Sequence, residues 1–297
     1  VADRIRVLAV CGHEAAGGAA LHHLAGPDTA VVGAGRALYR ALAADPARQG
    51  IAVVPMTLGR DPELVADTAR TVRALPPDLR GGVAVAAPFG TSEHLVGWLR
   101  AAAATVPTAA ALLLTAPGAD PYQDAELFRV AHLVQRHGRH RLVETALLGD
   151  DLDAGEGVRR CALLGARTVA VLSASFLPPG RAKAPDGVSV IDGGPLLGPA
   201  ALAAVLSARA ADAVRRLREN RDDGIGRALV AADGHGLAHT HGPGADHDHH
   251  HGPGDHEHHH RHGPGEGRSP NHSPQAQHTH PSPDARPLAA TDARSHQ

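Results

Sequence analysis

Up to about Arg218, short runs of β-branched and aliphatic residues alternate with longer helical patterns. The runs predict strands at Arg6–Val10, Ile51–Met56, Val83–Ala87, Ala111–Thr115, Val143–Leu147, Thr168–Ser173 and Val188–Ile191. The stretches between them predict helices at Thr29–Ala43, Pro62–Ala74, Glu93–Ala103, Asp124–Arg136, Ala154–Leu164 and Pro199–Glu219. Strand and helix in alternation mean an α/β fold, a parallel sheet covered by helices. Most of the strands run out into a loop bearing Gly or Pro, as at Cys11-Gly12-His13, Leu58-Gly59, Pro88-Phe89-Gly90 and Pro117-Gly118. Ligands of open α/β sheets gather at such carboxyl-end loops.

The order strand, polar loop, helix recurs on each side of about residue 108. The body therefore reads as two similar halves, residues 1–107 and 108–220, each a parallel sheet flanked by helices. Ile51–Asp67 has the form of Thr168–Asp186, both passing from a strand through Leu and Gly to Arg. The first half shows no clear strand between its opening helix and Ile51. From Asn220 the composition changes, and from Gly234 the chain is mostly Gly, Pro, His, Asp and Ser with few aliphatic residues. Nothing in such a segment offsets the entropy of ordering it, so residues 221–297 are expected to form a disordered C-terminal tail.

Composition narrows the function classes. Of 297 residues, 43% are hydrophobic but only 2% aromatic, so the core is expected to be small aliphatic side chains between helix and sheet. The formal charge is −2 and Lys183 is the only lysine, which argues against nucleic acid as a partner. Cys11 and Cys161 are the only cysteines, too few for a disulfide framework. The Val7–Cys11 run is too short for a signal peptide's apolar region, and no window approaches the roughly 20 apolar residues of a membrane span. A soluble cytoplasmic protein is expected. No dinucleotide-binding or Walker pattern follows a strand, and no Gly-x-Ser-x-Gly elbow is present.

The tail carries the plainest chemistry. Twelve histidines fall in one stretch: His235, His239, His241, His247, His249, His250, His251, His256, His258, His259, His260 and His262. His-Gly-Pro-Gly repeats at His241, His251 and His262, with Asp246, Asp248, Asp255 and Glu257 interleaved. Neutral imidazole suits nickel, cobalt, copper and zinc, and any three or four of these rings could wrap one ion. Several weak, interchangeable sites are the expected result, and the absence of cysteine argues against a thiolate zinc site.

In the body, Gly12 delivers His13 to the ligand-bearing edge of the sheet, directly after the first strand. The surrounding motifs, Val10-Cys11-Gly12-His13-Glu14, Val54-Pro55-Met56-Thr57-Leu58-Gly59-Arg60-Asp61 and Phe176-Leu177-Pro178-Pro179-Gly180-Arg181, resemble the class II tetrapyrrole chelatases of the sirohydrochlorin cobaltochelatase (CbiX) type. Asp120-Pro121-Tyr122-Gln123-Asp124-Ala125-Glu126 and the Glu156–Ala166 stretch extend the likeness, which covers about residues 5 to 218. The resemblance implies insertion of cobalt or nickel, with zinc as a further candidate, into a sirohydrochlorin-like tetrapyrrole, without an organic cofactor. A homodimer is a possible assembly. In that family, histidines of two loops hold the metal and accept pyrrole protons. Here His13 keeps its place, Glu63 stands at the matching position of the second loop, and the second half has Pro117 and Ala182.

On this reading His13 and Glu63 are the metal and proton-accepting pair, and Arg60 and Arg181 meet the acid side chains of the tetrapyrrole. Asp61-Pro62-Glu63 equally reads as a helix start, with proline at the first helical position. His94 is a weaker ligand candidate, while His132, His137 and His140 cluster at a helix end and suit its macrodipole. Two functions compete: a chelatase whose tail concentrates metal near His13, and a non-catalytic protein that stores or delivers nickel, cobalt or zinc through its tail. The missing second histidine favours the latter, and the retained His13 with its paired loops the former.

Overall fold

The computed structural model describes residues 5–44, 50–149 and 154–233. Within them two four-stranded parallel sheets repeat one topology. The first contains β1 (Arg6–Cys11), β2 (Thr29–Gly33), β3 (Ile51–Met56) and β4 (Val83–Val85), in the order β2-β1-β3-β4. The second contains β5 (Ala111–Pro117), β6 (Val143–Leu148), β7 (Thr168–Ser173) and β8 (Ser189–Asp192), in the order β6-β5-β7-β8. Helices α1 (Arg36–Ala44), α2 (Pro62–Arg73), α3 (Pro77–Arg80) and α4 (Ser92–Ala103) belong to the first half. After β5 come α5 (Pro121–His137), α6 (Ala154–Leu163), α7 (Pro199–Asn220) and α8 (Ile225–Asp233). The expected α/β fold in two similar halves is what the chain adopts. The strands β3 and β7, whose segments look alike in sequence, hold equivalent places beside the central strand.

The sheets explain the continuous apolar runs, since their central strands are covered on both faces. Val7, Ala9 and Cys11 of β1 face a large core shared with Leu112 and Leu114 of β5, Leu95 and Leu99 of α4, and Leu127 and Val130 of α5. The alternate residues Leu8 and Val10 face a second cluster with Leu38, Leu64 and Val65, and Leu113 with Val158 and Val169 forms a third. Three of the six aromatics meet around the buried Phe89, which lies 5.9 Å from Trp98 and 5.3 Å from Phe176 between ring centroids, while Tyr39, Tyr122 and Phe128 are exposed.

Three expectations change. The predicted helix Thr29–Ala43 is a strand followed by a helix: β2 pairs in parallel with β1, and Gly35, at φ +64, turns the chain into α1. The strand looked for before Ile51 is thus present, inside the stretch read as helix. Between β1 and β2 the chain winds through a 3₁₀ segment, His13–Leu24, with a left-handed stretch at Ala16, Gly17 and Gly18. The third change concerns the body's end, placed at residue 220: α8 packs against α2 and β4, and the Val85 amide donates to the Asp223 carbonyl at 2.8 Å. Helix α7, last in the second half by sequence, lies against β3 and β4 of the first. Among the described residues no helix is long and apolar enough to cross a membrane.

Candidate functional site

The site is built where β1 and β3, neighbours in the sheet, release the chain at their carboxyl ends, with Cys11 opposite Met56. Two residues beyond β1, His13 presents Nδ1 to Asp61 Oδ2 at 3.1 Å. Asp61 is also the N-cap of α2, its Oδ1 accepting the Leu64 amide at 2.9 Å ahead of Pro62 at the first helical position. Gly12 makes the meeting possible, because a Cβ there would lie 2.3 Å from Asp61 Oδ2. With the carboxylate accepting the Nδ1 proton, the His13 lone pair resides on Nε2. That atom is buried and has no hydrogen-bond partner among the described residues.

Behind the pair lies a buried network of ionisable groups. Glu14 is fully buried, and its Oε2 accepts from the Thr57 hydroxyl and from the Leu58 amide, the latter at 3.0 Å. Burial pushes its pKa above the ordinary 4.5, against the pull of Thr57 and Arg60. The Glu14 carbonyl accepts the Phe176 amide at 3.0 Å, tying the first half to the loop after β7. Burial pulls the Arg60 guanidinium below its ordinary pKa, opposed by Glu14 and Asp124. The Cys11 thiol is pushed up to about 12 by burial, which keeps the free side chain protonated.

Several site expectations are corrected by this geometry. Glu63 does not face His13. It sits exposed on the first turn of α2, 3.5 Å from Arg70, while the capping side chain of Asp61 folds back toward β1. Arg60 is not solvated and is not placed to clamp a substrate. Gly59, at φ +101, packs against Ser92 and the following side chain turns inward. Fully buried, Arg60 donates to the carbonyls of Gln123 and Pro117 at 3.2 and 3.1 Å and to Asp124 at 3.2 Å. Arg181 is exposed, between β7 and β8. His94 caps α4, accepting the Thr91 amide at 3.2 Å, and its ring lies 5.7 Å from Trp98. The tail histidines from His235 to His262 lie outside the described residues.

No family model matches the chain, and no curated protein sequence matches it. The site's chemistry is accordingly read from its own atoms. Among the described residues no three His, Cys, Asp or Glu side chains are grouped to hold a metal ion. The body offers one imidazole, oriented by one carboxylate, at the edge of the sheet where ligands collect. Sequence reasoning found His13 and missed Asp61 and Glu14. The Asp61 cap was legible from Asp-Pro-Glu, but its partner follows only from β1 and β3 lying side by side in register.

Proposed function

We propose that this protein serves tetrapyrrole metallation, presenting cobalt or nickel to a sirohydrochlorin-like macrocycle with His13 as the reacting group. The observation that carries the reading is the His13–Asp61 pair, which leaves Nε2 as the basic nitrogen at the carboxyl end of β1. Metal insertion exchanges two pyrrole N–H protons for one divalent ion. His13 Nε2 takes the first proton and Asp61 stabilises the resulting imidazolium, as carboxylate–histidine pairs do in general base catalysis. The second proton passes to solvent, since Glu63 stands away from the pair. The doubled sheet and the twelve-histidine tail fit this role, the tail raising the local concentration of metal as a tethered carrier.

The test is metallation of sirohydrochlorin by Co²⁺ or Ni²⁺, followed by absorption with the full chain, with a chain ending at Asp233, and with His13→Ala. The full chain is expected to exceed the metal-only rate and His13→Ala to fall to it. A full-chain rate equal to the metal-only control would sink the enzyme reading. A second reading has its own support: Arg60 donates to the carbonyl of Pro117, and Pro117 and Ala182, where second-half ligands would stand, offer no ligating side chain. In that case the body is a scaffold and the tail stores or delivers nickel, cobalt or zinc. Stoichiometric metal binding by the full chain, lost on truncation at Asp233 and unaccompanied by metallation, selects it.

A further inference from the structure

A recess of about 230 Å³ opens where α4 and α5 end, walled by Arg100, His137, Arg139 and His140 over Ala103 and Val134. Among the described residues no acidic side chain lines it. It is distant from His13. Arg60, at the carboxyl end of β3, reaches Pro117 at the carboxyl end of β5, so both sheets present that edge together. The recess precedes the first residue of β5, a seven-residue strand and therefore roughly 20 Å away.

Its arginines differ from those that are paired along their own helices. Arg70, Arg129, Arg159, Arg215 and Arg216 each pair with an acid three or four residues earlier on their own helix. Arg100 has Gly97 and Val96 at those positions, and neither Arg100 nor Arg139 has an acidic partner among the described residues. Helix carboxyl termini attract cations, and this accounts for part of the charge. Two helix ends supply together about one negative charge, whereas the two arginines alone bring two positive ones. The recess is net cationic before any histidine is counted.

The walls are built rather than incidental. His140 is 5% exposed, with Nδ1 2.9 Å from the Ala110 carbonyl and Nε2 3.1 Å from that of Ala103. A ring N–H donating to a main-chain carbonyl fixes this imidazole as the floor of the recess. A Cβ at Gly138 would lie 2.4 Å from the Val134 carbonyl, so the turn that carries Arg139 is specific to glycine. Gln135 Nε2 donates to the Arg141 carbonyl at 2.7 Å and pins the same turn from its far side.

We infer that this recess binds a small oxyanion of at least two negative charges, held by Arg100 and Arg139. The volume suits a phosphate group or a compact polycarboxylate and is too small for a tetrapyrrole. Such a ligand joins α4 of the first half to α5 of the second and stabilises their contact by linkage. The test is calorimetric titration of the metal-free full chain with phosphate and with citrate, at ionic strength held constant by chloride. Saturable binding is expected, weakened at least tenfold in Arg100→Gln/Arg139→Gln and unaltered in Arg159→Gln. Both arginines are exposed, so the double variant is expected to keep the wild-type circular dichroism spectrum. Binding of phosphate alone marks a phosphate ester as the ligand class, and of citrate alone a polycarboxylate. Absence of saturable binding by either, or equal affinity in the double variant, overturns the inference.

Discussion

Asp61 performs two tasks with its two oxygens, capping α2 with one and orienting His13 with the other. The tasks separate by substitution. Asp61→Asn keeps a good cap but replaces the acceptor charge, so stability is expected to change little while metallation falls at least tenfold. Asp61→Ala loses both, with about 1 kcal/mol of stability gone as well, measured by urea denaturation. Glu14 makes a pH prediction. Its folded-state pKa is raised, so the native state holds its proton where the unfolded chain has released it. This costs nothing below the ordinary value of 4.5, and the penalty grows as pH rises from there through the folded value. Glu14→Gln removes the titration. The variant is therefore expected to gain in melting temperature relative to wild type as pH rises from 4.5 toward 7, and a gap that widens toward acid pH would contradict the assignment.

Most of the elements were legible because their patterns are local. Ile51–Met56 and Thr168–Ser173 are strands with the bounds expected, being continuous apolar runs closed by polar loops. The errors fall where local signals are shared. Thr29–Gly33 is an edge strand whose residues are only half-buried, and Gly33-Ala34-Gly35 separates it from a genuine helix that its alanines and valines blend into. Helix α8 is nine residues long and follows the polar Arg218–Asp223 stretch, so its buried Ile225 and Ala228 carry too little periodicity to announce it. What fixes α8 is tertiary. Gly224, at φ +76, lets the chain approach so closely that a Cβ would lie 2.0 Å from the Val85 carbonyl. Gly224→Ala is expected to cost on the order of 1–3 kcal/mol, read as a lower urea midpoint. The site divides in the same way: His13 was visible from its strand and turn, whereas Asp61 in place of Glu63, and an inward Arg60, depend on strand order and on the second half's carbonyls.

At the scale of the molecule, one core cluster contains residues from β1, β3, β5 and β7 together with α4, α5 and α7. The halves share an interior and are expected to unfold as one. Leu114→Ala, deep in that cluster, should lower stability by about 2–5 kcal/mol and still give a single calorimetric transition; two separated transitions would show that the halves are independent. The crossing of α7 and α8 onto the first sheet has a further consequence for synthesis in the cell. The first half's strands leave the ribosome early, yet β4 and α2 acquire their last neighbour only when residue 233 has been made. At roughly 5–20 residues per second that interval is on the order of ten seconds. Through it the nascent chain carries an uncovered apolar flank, which a holding chaperone would shield until the final helix closes it.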